Sequence, residues 1–284
     1  MLHCIDHVVI AVRDLAAATE HYAGLLGRPA AWRGSHPGAG TENTLFSLER
    51  GYLELLASAG DGPVGRTIAD ALEQRGEGVV ALALGTHDAD QCRIELMRRG
   101  VEAGVPTPGE GREATSGVER RWRTVHIPFA SSRGLMLFAI EHESESELLT
   151  LTRAEAGELS GLDHAVVMSP DLEAAKRLYG ERLGLRLALD RSFEKRGIRL
   201  LFFRLGGVTL EVGGRIEGDA QPELPDRFGG LAYRVADADA ARARLVAAGF
   251  DVSEVSDGFK PGTRVCSVRD RTCGVPTLVI EPAR

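Results

Sequence analysis

With 284 residues, 43% of them hydrophobic, and a net charge of −7, the chain has the composition of an ordinary globular protein with room for two cores. The negative balance and the lack of a cationic cluster argue against a nucleic-acid partner, and the apolar runs are too short for a membrane span. Residues 1–6 have no basic or apolar stretch of the kind that directs export, and Cys4, Cys92, Cys266 and Cys273 show no CxxC spacing, so reduced thiols in a cytoplasmic protein are expected.

Residues 5–12 form an apolar run of strand length with His7 set in it. Asp14 then caps an amphipathic helix over 15–26, whose apolar positions recur at three and four and which stops at Gly27. Two further strands follow, the second carrying Glu54 between leucines. A connection over 57–76 holds a helix around 67–74. A second unit then opens with a strand at 79–84, a helix at 89–99 capped by Asp88 and ended by Gly100, and strands at 120–128 and 135–141.

The pattern returns. Asp163, His164, Ala165, Val166 and Val167 repeat Asp6, His7, Val8, Val9 and Ile10 at an offset of 157 residues, and the helix positions after Asp171 match those after Asp14. Both histidines precede their glutamates, Glu54 and Glu211, by 47 residues, so the strand register is kept; a slip of one would turn every side chain to the other face. In residues 231–282, Asp237 and Gly249 reproduce the spacing of Asp88 and Gly100, and the closing strands end in Glu141 and Glu281. The fold class expected is α+β: four βαβββ modules pairing into two domains, 1–145 and 159–284, with concave mixed sheets. A polar connection that includes a capped helix at 152–158 joins them. Pairing two modules closes a cavity suited to a small molecule.

Between the strands of the first module, His36, Thr41 and Asn43 lie in a Gly-rich stretch that could line the cavity mouth, with His36 as an acid or base and Asn43 binding substrate; the plainer alternative is an ordinary connection. Arg121 and Arg123 share one strand face, and His126 is assigned to the same face. Turned inward, the arginines would bind a carboxylate or enolate; turned outward, they are a solvated face. His87 and His142 fall at strand ends and are read as surface residues. No serine or cysteine nucleophile motif, P-loop or dinucleotide fingerprint is present.

Paired modules with histidine on the first strand and glutamate on the last resemble the vicinal oxygen chelate superfamily, which includes glyoxalase I, extradiol dioxygenases, methylmalonyl-CoA epimerase and the fosfomycin and bleomycin resistance proteins. Residues 35–43, 52–55 and 121–123 resemble its glyoxalase-like branch. The resemblance implies a divalent metal (zinc, manganese, iron or nickel) held by His7, Glu54 and Glu141, with Glu141 also a candidate catalytic carboxylate, and His164, Glu211 and Glu281 as the second-domain set. Ala81 and Gly230 stand where relatives place a second histidine, a gap that His36 would have to fill. The implied activity is metal-dependent proton transfer alpha to a carbonyl, of isomerase or lyase type, on a small oxygenated substrate. Extradiol ring cleavage and metal-free small-molecule binding are the alternatives. Homodimerisation is compatible with the resemblance. Because the first half carries the additional polar residues, it is expected to be the working half, with His7 and Glu54 as core histidine and paired carboxylate the plainer reading of the pair.

Overall fold

The computed structural model describes residues 1–36, 38–144, 154–216 and 223–283. In the first half β1 (Cys4–Ala11) leads into α1 (Leu15–Leu26), followed by β2 (Trp32–His36), β3 (Thr41–Ser47) and β4 (Tyr52–Ser58). After α2 (Pro63–Arg75), the second module runs β5 (Gly78–Gly85), α3 (Ala89–Arg98), β6 (Thr107–Glu113), β7 (Glu119–Ile127) and β8 (Met136–His142). Helix α2 begins four residues before the sequence expectation, because Pro63 fits a first helical position where no N–H is needed. Strand β6 is an addition; its Pro108, Gly109 and Gly111 hide it from propensity reasoning.

These strands close into a barrel in the order β1-β4-β3-β2-β6-β7-β8-β5. The closing seam, β2 against β6, pairs Gly34 with Glu113 and Ser35 with Arg112. Glycine is required at Gly109, where a Cβ would come within 2.3 Å of the Trp122 indole. Inside the barrel, Val9, Ala11, Leu56 and Ala81 pack with Ile68 and Leu72 of α2, which plugs that end. Trp32, Leu45 and Tyr52 form a second interior group.

The second half comprises β9 (Gly161–Met168), α4 (Leu172–Lys176) continued by a π-helical turn (Arg177–Arg182), β10 (Arg186–Phe193), β11 (Ile198–Leu205), β12 (Val208–Arg215), β13 (Arg227–Arg234), α5 (Ala238–Ala247), β14 (Ser256–Asp257), β15 (Arg264–Val268) and β16 (Thr277–Glu281). Its sheet, β10-β11-β12-β9-β13-β16-β15-β14, stays open at both edges. Ala154–Glu158 is irregular rather than helical; the rest of the expected connecting helix lies outside the described residues. The main core is shared by both halves: Tyr22 of α1 donates its hydroxyl to the Thr272 carbonyl (3.0 Å), and Arg244 of α5 caps α1 through the Leu25 carbonyl (2.7 Å). Among the described residues all four cysteines are free, and no helix is long and apolar enough to cross a membrane.

Candidate active site

His7 lies on β1 and Glu54 on β4. These strands pair in parallel, with Val9 opposite Glu54 and His7 opposite Tyr52, so the imidazole and the carboxylate reach the same space inside the barrel. His7 Nε2 stands 3.5 Å from Glu54 Oε2, and both residues are buried. The Tyr52 ring stacks on His7 with centroids 4.4 Å apart, and Phe138 meets its edge at 5.7 Å. Burial raises the Tyr52 phenol well above its ordinary value.

Each member of the pair is held from behind. The pairing of β1 with β5 is irregular between Ile5 and His7, a bulge that lets the side chains of neighbouring residues turn the same way. Asp6 Oδ1 therefore reaches His7 Nδ1 at 2.6 Å, while its Oδ2 meets His142 Nε2 at 3.0 Å. Burial alone would raise the Asp6 carboxyl, but the hydrogen bonds from His142 and His7 outweigh it and hold the group well below the usual carboxylate range. His142 is exposed, as expected from its position at a strand end, and also partners the site through Asp6. On the other side, Asn43 Nδ2 donates to Glu54 Oε1 (2.6 Å).

His36 ends β2, and Asn43 lies within β3, so the stretch read as a Gly-rich loop is largely a hairpin whose tip is 38–40. Pro37 lies outside the described residues. His36 Nδ1 is 2.9 Å from Thr41 Oγ1, and its Nε2 faces Asn43 Nδ2 at 3.4 Å. Burial lowers the His36 pKa, which keeps the ring neutral near pH 7.

Strand β7 turns Arg121 and Arg123 outward, the solvated alternative, so neither serves as a substrate-binding residue of the barrel. Arg121 is exposed beside Glu119, and Arg123 pairs with Asp90 outside the barrel. Arg120 and Trp122 point inward instead: Arg120 lies over the Trp32 and Tyr52 rings, and Trp122 packs edge-on to His36. His126 shares the Trp122 face by the period of two, not the arginines' face, and packs near Phe138 while itself exposed. Arg120, Asp6, Tyr52 and Phe138 were not singled out from the sequence. The one signal available was the Asp-His pair that recurs at Asp163-His164.

Glu141 does not join His7 and Glu54. Its Oε2 accepts the Ala89 N–H at 2.9 Å, capping α3 on the outer side of the barrel, with Arg123 3.6 Å away. Glu281 does the same for α5 through Ala238 (3.0 Å). Laying the first module on the second by the helix caps Asp14 and Asp88 sets Ala81 on His7 and Phe138 on Glu54, since Phe138 faces Ala83 as Glu54 faces Val9. Of these four positions, only two carry a donor. Glu54 spends one oxygen on Asn43, and among the described residues no three His, Cys, Asp or Glu side chains group in a way that would hold a metal. A resident divalent ion wants at least three protein ligands, so this donor set does not fit one.

In the second half, Asp163 Oδ1 meets His164 Nδ1 at 2.9 Å and its Oδ2 accepts from Arg234 Nε at 2.8 Å, repeating the orienting carboxylate. Burial raises the Glu211 pKa. The matching positions of its second module are Gly230 and Leu278, again without a donor. The concave face is open, and the counterpart of the His36 stretch ends in an exposed cluster in which Phe193 packs on Phe259, 5.7 Å between centroids.

A family model described as "Glyoxalase-like domain" matches residues 5–160, and one described as "Glyoxalase/Bleomycin resistance protein/Dioxygenase superfamily" matches residues 163–267. No curated protein matches the chain at a significant level. Among solved structures, a mutant 4-hydroxymandelate synthase from Streptomyces coelicolor is similar over 100% of this chain and 94% of its own, with a TM-score of 0.71 and 18% identity. A hypothetical protein from Staphylococcus aureus is similar over 99% of both chains, with a TM-score of 0.66 and 12% identity. At these identities the structural likeness speaks for the fold. Together with the sequence models, it establishes that the chain belongs to the vicinal oxygen chelate superfamily, with a glyoxalase-like first half.

Proposed function

We propose that the N-terminal barrel moves a proton at the carbon beside a carbonyl in a small oxygenated substrate, using Glu54 and His7 as its acid–base pair and no resident metal. The observation that carries this reading is the chain Asp6–His7–Glu54–Asn43 inside the barrel, fixed at both ends by hydrogen bonds of 2.6 Å. Enzymes of this superfamily typically use a divalent metal, and the two-donor set here sets this chain apart from that habit.

Asp6 accepts the His7 Nδ1 proton, which fixes the tautomer and aims Nε2 at Glu54. At 3.5 Å, the His7–Glu54 contact is too long to occupy Glu54 Oε2 fully, so that oxygen keeps the capacity to take a proton from carbon and pass it to His7 Nε2. His7 and Glu54 are buried beside the interior rings, and in so apolar a setting each charge acts more strongly than in water. Neutral His36, its Nδ1 against Thr41 Oγ1 and its Nε2 against Asn43 Nδ2, offers its unprotonated ring nitrogen as a second proton acceptor.

A second reading is binding without turnover, favoured by the enclosure of the pair by Tyr52 and Phe138. Small 2-oxo and 2-hydroxy carbonyl compounds incubated in heavy water with protein and a chelator separate the two. Loss of the α-proton NMR signal, abolished by Glu54→Gln, is expected; no exchange in any compound would overturn proton transfer.

A further inference from the structure

Among the described residues, Arg120 is the one buried cation of the barrel interior, and the acid–base chain leaves it unused. Only 5% of its surface is exposed, and its guanidinium lies 5.5 Å from the Trp32 ring centroid and 5.3 Å from that of Tyr52. Those rings cover the flat faces of the group, and the Tyr52 hydroxyl also takes a hydrogen bond from it, which leaves the Nε side of the fork to account for. Its Nε is buried without a hydrogen-bond partner, and among the described residues no carboxylate forms an ion pair with it. A buried guanidinium with its Nε unsatisfied and no carboxylate to balance its charge is costly, and a planar anion set against the Nε side of the fork would relieve both.

A second orphan lies in the same interior. Asn43 is 3% exposed; its amide nitrogen serves Glu54, while its Oδ1 is buried with no donor. The two orphans are joined by continuous contact: Arg120 covers Tyr52, Tyr52 stacks on His7, His7 faces Glu54, and Glu54 holds Asn43. One unsatisfied donor and one unsatisfied acceptor stand at the two ends of this contact chain, with the acid–base pair between them. A ligand that satisfied both would present an anionic oxygen pair to one and an O–H to the other.

We propose that Arg120 anchors the carboxylate of a small 2-hydroxycarboxylate or its enol, whose hydroxyl donates to Asn43 Oδ1 while its reacting carbon sits against Glu54 and His7. This rests on the reading of the barrel as the working site and names its substrate class. Selectivity then comes from the unpaired groups: a neutral amide leaves the guanidinium without its anion, and a carboxylate lacking the hydroxyl leaves Asn43 Oδ1 bare.

The chain has two tryptophans, and both, Trp32 and Trp122, are in this barrel, so fluorescence excited selectively at tryptophan reports on it alone. Titration with glycolate, lactate and 2-hydroxybutyrate, each beside its primary amide, is the direct test. A saturable change with at least one carboxylate and none with its amide is expected. Arg120→Met should weaken that binding by at least about tenfold, Arg120→Lys should retain part of it and report on folding, and exposed Arg121→Met should bind as the parent does. Equal binding of acid and amide, unchanged affinity in Arg120→Met, or no saturable response to any of the acids would overturn the proposal. Arg120-dependent binding without proton exchange would leave it standing and remove the proton-transfer reading. Exchange that survives Arg120→Met with unchanged KM would do the reverse.

Discussion

Asp6 and His7 are chain neighbours whose side chains nevertheless meet, Oδ1 to Nδ1 at 2.6 Å, because the β1 bulge turns both to one side. In a regular strand they would point to opposite faces. The irregularity recurs in the second half, where the β9–β13 register shifts at Asp163 and that carboxylate meets His164. An oriented histidine was thus built into the unit that was duplicated, and only the first copy encloses it in a barrel.

Replacing Asp6 with Asn removes the negative charge that supports a proton on His7 and leaves one accepting oxygen where His7 Nδ1 and His142 Nε2 now each have their own. The exchange rate should fall by at least about tenfold while the fold persists, because Asn keeps the size and one hydrogen-bonding oxygen. Comparing rates with near-UV circular dichroism checks this.

Acid stability should depend on Asp163. Burial would raise its carboxyl, but hydrogen bonds from His164 and Arg234 win and hold it at about 2, against 3.8 when free. A carboxyl depressed in the folded state stabilises above its unfolded pKa, and that contribution is lost as pH falls from near 3.8 toward 2. Denaturant titrations across this window should show Asp163→Asn about 2 kcal/mol less stable at neutral pH, with the gap closing on acidification.

Glu141 caps α3 rather than serving the site. Glu141→Ala should cost about 1 kcal/mol of stability and leave carboxylate binding and proton exchange unchanged. Thermal melts beside the exchange assay decide between the two roles.

If the metal set failed for want of donors, restoring them should create one. Ala81→His combined with Phe138→Glu supplies both missing positions, and stoichiometric zinc or nickel binding by calorimetry is expected in the double variant and absent in the parent. Equal binding in both would show that the parent pair already holds metal.

Much of this fold was legible because it rests on local chemistry. The caps Asp14, Asp88, Asp171 and Asp237 each accept the expected backbone N–H of the first helical turn, and the 157-residue repeat preserved register from His7 to Glu54 and from His164 to Glu211. The site was legible only in part. Period two divides β7 into Arg121 and Arg123 against Arg120, Trp122 and His126, but nothing local says which set turns inward; the choice is made by barrel closure through the glycine-bearing β6. Glu141 misleads because a glutamate ending the last strand suits a cap and a ligand equally, and only the β5–β8 pairing reveals Phe138 at the ligand position. The bulge at Asp6 leaves no mark that propensity reads.

If the first-half pair works without metal and the second-half pair does not, proton exchange with chelator present will tell Glu54→Gln from Glu211→Gln. Glu54→Gln should abolish exchange, and Glu211→Gln should retain the parent rate. Equal losses in both variants, a loss confined to Glu211→Gln, or exchange that vanishes when the parent is treated with chelator would contradict a metal-free site in the first half.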